Sequence, residues 1–180
     1  RDINIDMEEI VYAGDTVRGY MNQVACTDRS GFRLHTLQSA FFFSGTKTIL
    51  NGLLLETANS RITDNLQFSY ASLLDFNRIF DAVEIRANLR NSVVSTDDLA
   101  YFSASLGSYH SLITANMPVS GTLSNLKASG AQLAVDQTLS FQGDLRIRGL
   151  PVIDETWFDV DLRPLQANMP GLNEQLGGVL

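Results

Sequence analysis

Two histidines and one cysteine are the residues best suited to act as base, nucleophile or soft metal ligand at neutral pH in this 180-residue chain. His35 and His110 lie far apart, and neither has a second ligand two or four positions away, the spacing that would place two donors on one metal ion. They read as surface or half-buried strand residues. Cys26 has no partner for an internal disulfide or a cysteine-rich metal site and reads as a small apolar filler in a strand. Asp97-Asp98 is better explained as the first turn of a helix, where negative charge meets the positive end of the dipole, than as a catalytic carboxylate pair. Glu8-Glu9 and Asp159/Asp161 read as acids of a solvated face. Ser44-Gly45-Thr46-Lys47-Thr48 has the tail of a phosphate loop without its upstream glycine and with strand-like residues on both sides. No G-x-S-x-G, H-E-x-x-H, N-x-[ST] or G-x-G-x-x-G pattern occurs. With no catalytic set, metal site or cofactor motif to assemble, the sequence reads as that of a non-enzymatic protein.

The totals narrow the class. At 44% hydrophobic residues, 18% charged, 4 prolines and 13 glycines, the chain has the composition of a folded domain, or of one segment of a repetitive array. A net charge of −7, with two lysines and eleven scattered arginines, argues against nucleic acid, which requires clustered cations to release counterions. Apolar runs such as residues 40–43 and 53–55 fall far short of the roughly 20 residues that cross a bilayer as a helix. The first residues carry no secretory signal pattern, so the chain reads as a mature or excised piece, and residues 1–180 as a single β-rich unit.

Period-two alternation dominates and predicts strands with one apolar and one polar face. It runs through Ile3, Ile5 and Met7; Phe32 and Leu34; Leu37 to Phe43 with a shifted phase, as a bulge would produce; and Leu66, Phe68 and Tyr70. It continues through Val83, Ile85, Ala87, Leu89 and Val93; Ala115, Met117 and Val119; Leu139, Phe141, Leu145 and Ile147; and Phe158, Val160 and Leu162. At least eight strands are expected. Turn signals fall at residues 28–31, Ser44-Gly45, Asn51-Gly52, residues 58–60, Asp136-Gln137 and residues 149–151. Turns this short join antiparallel neighbours, so a meander is predicted. Two helices of about three turns are expected over Ser72 to Val83 and Ser95 to Leu106, each opened by a serine and an aspartate three residues on, with a third starting near Pro170.

Three stretches, residues 30–62, 89–106 and 119–162, carry a resemblance. They include Ser-Gly-Phe, Asp-Leu-Ala-Tyr-Phe, Gly-Thr-Leu-Ser-Asn-Leu-Lys and Gly-Asp-Leu-Arg-Ile-Arg-Gly-Leu-Pro in that order. Together they resemble the interior of TamB-type translocation and assembly module proteins of the AsmA-like superfamily. The resemblance implies a periplasmic segment of a longer Gram-negative envelope protein, anchored in the inner membrane and reaching an outer-membrane barrel partner of the TamA or BamA kind. It also implies a long sheet curled into an open apolar trough, β-taco-like, associated with phospholipid transport between the membranes and with outer-membrane protein assembly. The family's anchor helix and barrel-engaging domain have no counterpart in these residues, and the family has no catalytic motif to carry over.

The expected fold is therefore mainly β: a long antiparallel meander sheet curled into an open apolar trough, with two or three short helices. In that reading Leu66, Phe68, Val83, Ile85, Leu89, Leu139, Phe141, Leu145 and Ile147 line the trough and meet phospholipid acyl chains. Arg86, Arg90, Arg146, Arg148, Asp159 and Asp161 fall on the other phase, toward water. The alternative is a structural or adhesive β-sandwich module, in which the same apolar rows bury against a second sheet about 10 Å away. In the trough reading the raw sheet edges also predict self-association through residues 3–7 or 158–162.

Overall fold

The computed structural model describes residues 2–101, 106–136, 138–150, 152 and 155–167. Ten strands follow one another: β1 (Ile3–Ala13), β2 (Thr16–Thr27), β3 (Arg33–Phe43), β4 (Lys47–Thr57), β5 (Arg61–Ser69), β6 (Glu84–Ser95), β7 (Leu112–Thr122), β8 (Asn125–Val135), β9 (Leu139–Arg148) and β10 (Trp157–Ala167). They form one sheet whose spatial order is the sequence order, every neighbouring pair antiparallel. This is the predicted meander. The sheet does not close into a barrel: β1 and β10 are its two free edges. Among the described residues no second sheet covers either face.

The register carries the apolar phase from strand to strand, because directly paired residues point to the same side of a sheet. Phe68 pairs with Ile85, Ile85 with Gly121, Gly121 with Leu126, Leu126 with Ile147 and Ile147 with Phe158. A parallel row runs from Leu50 through Leu66, Ala87, Val119, Ala128 and Leu145 to Val160. The opposite face carries Gln67, Arg86, Ser120, Lys127, Arg146 and Asp159 in the corresponding order. The packed centre of the apolar face is Ala128, Ala131 and Leu145, flanked by Met117, Val119, Leu133 and Ile147, all contributed by β7 to β9.

The alternation breaks at one place per bulged strand. Pairing skips two residues between Glu8 and Val11, Leu50 and Leu53, Leu89 and Ser92, Ala128 and Ala131, and Leu162 and Leu165. Four of these bulges contain a residue in the left-handed region: Glu9 at φ 52°, Gly52 at 61°, Asn91 at 48° and Gly130 at 61°. A bulge bends its strand and raises its twist. From β4 to β10 the bulges fall on every second strand and line up across the sheet, so the bends form one crease. Small or fully covered residues sit along it on the apolar side: Ser39, Ser92 and Ala131 at 0% exposure, Ala115 and Leu53 at 4%.

The expected minimum of eight strands is met by ten: β2, β4 and β8 add to those read from the apolar pattern, and the segments at Phe32–Leu34 and Leu37–Phe43 are one strand, β3. Three expectations are corrected. Asn51-Gly52 is not a turn but the bulge within β4, which continues to Thr57. The predicted helix over residues 72–83 is a 3-10 turn, Leu73–Arg78, running into a one-turn helix α1 (Ile79–Ala82). Asp75 does open it as expected, its carboxylate accepting the N–H groups of Ala71 and Ser72 at 2.8 and 3.0 Å. The second helix, α2, spans only Thr96–Leu99. Ser95 caps it by accepting the Asp97 N–H at 3.1 Å, but Asp98 turns away from the cap to the β4–β5 turn. Residues 102–105 of the expected second helix, and the expected third helix near Pro170, lie outside the described residues. The phase shift between Leu34 and Leu37 is a bulge, as read from the sequence, inside a single strand β3.

Candidate functional site: the apolar face

Eight of the nine residues expected to line an apolar trough share one face. Leu66 and Phe68 on β5 adjoin Ile85 and Leu89 on β6. Across β7 and β8, the strand β9 presents Leu139, Phe141, Leu145 and Ile147, opposite Val135, Leu133, Ala128 and Leu126. Most are half-buried, while Ile85 and Leu145 are 8% and 9% exposed. Val83 stands apart. It precedes β6 as the residue that ends α1 and has no exposed surface, so it presents nothing to a ligand.

That connector, residues 71–83, covers one end of the face. Phe76 lies edge-on to Phe68 at 6.1 Å and to Tyr70 at 5.0 Å between ring centroids. The Phe80 carbonyl accepts the Ser124 N–H at 2.9 Å, tying α1 to the β7–β8 turn. At the other end of the strands, the buried carboxylate of Asp98 accepts hydrogen bonds from the Thr57 and Ser60 hydroxyls at 2.5 Å each and from Asn59 Nδ2 at 3.4 Å. The Ser60 hydroxyl in turn accepts the Ser95 N–H at 3.0 Å. Asp98 thereby fastens the β4–β5 turn to the end of β6.

The crease is held by a recurring side-chain clasp. The bulge N–H of Gly52 is accepted by Asn65 Oδ1 at 3.2 Å, that of Asn91 by Asn116 Oδ1 at 2.6 Å, and that of Gly130 by Asp144 Oδ1 at 2.8 Å. In each case the acceptor lies on the next strand along. A bulge leaves backbone groups out of the ladder, and each clasp supplies the missing acceptor. On the apolar side the buried serines do similar work: Ser39 Oγ donates to the Asn51 carbonyl at 3.1 Å, and Ser92 Oγ accepts the Thr63 N–H at 3.1 Å. The acid in this row, Asp64 at φ 102°, is aimed at polar partners, with Asn88 Nδ2 at 2.9 Å and Arg90 Nε at 2.8 Å.

Residues that sequence reading left out complete the face: Met21 on β2, Leu53 on β4, and Leu126, Ala128, Ala131 and Leu133 on β8. Their signal was alternation read separately on each side of a bulge. The residues considered for chemistry take structural places. His35 is exposed on β3, and His110 Nδ1 lies 2.7 Å from Asp97 Oδ1. Cys26 is half-buried on β2, on the apolar side opposite Ile3 and Leu34. Ser44 to Lys47 form the β3–β4 turn, with Ser44 Oγ accepting the Thr46 and Lys47 N–H groups at 3.4 and 3.1 Å. Among the described residues no three His, Cys, Asp or Glu side chains are grouped to hold a metal ion, and no helix is long and apolar enough to cross a membrane. No family model, curated protein or solved structure matches the chain.

Proposed function

We propose that the apolar face holds phospholipid acyl chains and that the protein is a non-enzymatic conduit segment. In this reading it belongs to a longer periplasmic protein of the TamB type, serving lipid transport between the inner and outer membranes and outer-membrane protein assembly through a barrel partner. The observation that supports it is one continuous apolar face on an open ten-stranded sheet, with no second sheet over it among the described residues.

The dimensions suit such a ligand. Strands about 4.8 Å apart make the face about 43 Å long in the hydrogen-bonding direction. The hydrocarbon core of a bilayer, two acyl chains deep, is about 30 Å. Each methylene removed from water contributes roughly 0.8 kcal/mol, so an acyl chain needs no directional contact to be held along the crease.

The test is organic extraction of the purified protein followed by mass spectrometry, on the parent, Ile147→Asp and Arg148→Asp. Ile147 lies on the apolar face beside Leu126 and Phe158, whereas Arg148 is exposed on the other. The parent and Arg148→Asp should yield phospholipid in near-stoichiometric amount, and Ile147→Asp should lose it while melting within a few degrees of the parent. A parent that never carries lipid, or an Ile147→Asp protein that retains it, overturns the reading.

A further inference from the structure

The Asn51–Gly52 peptide in the β4 bulge is held at both of its polar atoms by side chains from two other strands. Ser39 Oγ on β3 donates to the Asn51 carbonyl at 3.1 Å, and Asn65 Oδ1 on β5 accepts the Gly52 N–H at 3.2 Å. Ser39 has no exposed surface, so one side of the peptide plane is fixed from within the sheet. The Asn51 side chain is in the opposite situation. It is exposed, and among the described residues its carboxamide has no hydrogen-bond partner. A Cβ on Gly52 would meet nothing within 4 Å, so there is open space beside this residue.

An asparagine carboxamide and the next backbone nitrogen are the two reactants of succinimide formation. The nitrogen loses its proton to solvent base and attacks the asparagine Cγ, the bond from Cγ to the side-chain nitrogen breaks, and ammonia leaves. Water then opens the ring at either carbonyl to give aspartate or isoaspartate. Glycine in second place favours the attack, because no Cβ shields the nitrogen and the backbone turns freely. The chain has one Asn-Gly pair, Asn51-Gly52; in the other clasped bulges Gly130 follows a serine and Asn91 precedes one. We infer that Asn51 is a deamidation site whose nucleophile is latched, with Asn65 and Ser39 holding the Gly52 nitrogen protonated and its peptide plane fixed until the bulge opens. Both contacts must be released before that nitrogen can close on Cγ. The product bears on the crease: isoaspartate routes the main chain through an extra methylene where the two halves of β4 are already offset, and either acid adds a negative charge to an exposed position. The inference concerns the bulge and does not depend on what the apolar face holds.

Incubation of the whole chain at mildly alkaline pH tests it, with deamidation at Asn51 followed by mass spectrometry of its proteolytic peptides. The folded parent should react at least about tenfold more slowly than the same chain unfolded in guanidinium chloride, since only its open fraction is reactive. Asn65→Ala should react about two- to fivefold faster than the folded parent, the factor by which losing one exposed hydrogen bond raises that fraction. Asn65→Val removes the same acceptor with a side chain suited to a strand and should behave alike if the alanine variant folds poorly. Asn116→Ala takes the matching clasp from the β6 bulge and should leave Asn51 at the parent's rate, which separates release of the latch from general loosening. The comparison of folded with unfolded parent stands without any variant. A folded parent that reacts as fast as the unfolded chain, an unfolded chain that does not react at Asn51, Asn65 variants no faster than the parent, or an equal acceleration by Asn116→Ala each overturns the inference.

Discussion

Strands β7 to β9 and strand β1 are written in the same alternating pattern and differ completely in burial. At the centre Ala131 is fully covered and Ala128 is 6% exposed, whereas on β1 Ile3 is 65% and Tyr12 74% exposed. Alternation assigns a side chain to a face, and neighbours on both sides then cover it. A central strand has two such neighbours and an edge strand one. Size follows depth: the crease at the centre is lined by Ser92, Ala115 and Ala131, which allow close approach, and the edge carries isoleucines that nothing yet compresses. The centre is where stability resides, and the exposed edge strand contributes little to it.

The largest effect expected from this contrast is a pair of matched charges. Ala131→Asp places a carboxylate where there is no exposed surface. The cost should be several kcal/mol, against total stabilities of about 5–15 kcal/mol for domains in general. Ile5→Asp, at 56% exposure, should change stability by about 0.5 kcal/mol or less. Urea unfolding of both variants beside the parent reads the difference. Similar losses at the two positions would mean that β1 is covered in solution and that the contrast belongs to the isolated chain alone.

The sequence made the faces legible and hid the crease. Leu139, Phe141, Leu145 and Ile147 could be assigned to one side because β9 has no register skip of its own, so its odd positions keep their phase along the whole strand. In β4 the same logic fails. Asn-Gly is the strongest short hairpin signal, yet Leu50 pairs with Leu66 and Leu53 with Asp64, so the strand passes through Asn51-Gly52 as a bulge. What decides between turn and bulge is an acceptor on another strand, Asn65, which no local window contains. The short helices were overread for a related reason. Serine and aspartate at the right spacing open a helix locally, but at residues 95–98 the aspartate is claimed by Thr57 and Ser60, nearly forty positions upstream. Val83 keeps the apolar phase of β6 in sequence but precedes the strand as the last residue of the connector, with no exposed surface.

The clasps give the second comparison, within the crease itself. Asn116→Ala removes the acceptor for the Asn91 N–H, and Asp144→Ala that for the Gly130 N–H. Each should destabilise by about 0.5–1 kcal/mol, the net contribution of one hydrogen bond at a solvent-exposed bulge. Asp144→Asn keeps a carbonyl oxygen at that place and should recover most of the loss. Hydrogen exchange should localise the change to the amide of the bulge residue and its ladder neighbours. If both alanine variants melt with the parent, water replaces the side chains and the crease is held by the ladder alone.

The smallest effect expected separates the same backbone conformation at the centre from its counterpart at the edge. Gly130 and Glu9 are both left-handed bulge residues, at φ 61° and 52°, the second skipped residue of one bulge and the first of the other. A Cβ on Gly130 would meet nothing within 4 Å, so the cost of Gly130→Ala is the left-handed conformation itself, about 1 kcal/mol. At Glu9 that cost is already present, since a side chain sits where glycine is preferred. Glu9→Gly relieves it and at the same time frees the unfolded chain, which offsets part of the gain. The net should be a stabilisation of about 0.5 kcal/mol, opposite in sign to the change at the centre. A Glu9→Gly protein no more stable than the parent would mean that β1 does not hold its bulge in solution. The edge strand would then run straight past β2, and its apolar and acidic rows would exchange faces beyond Glu8.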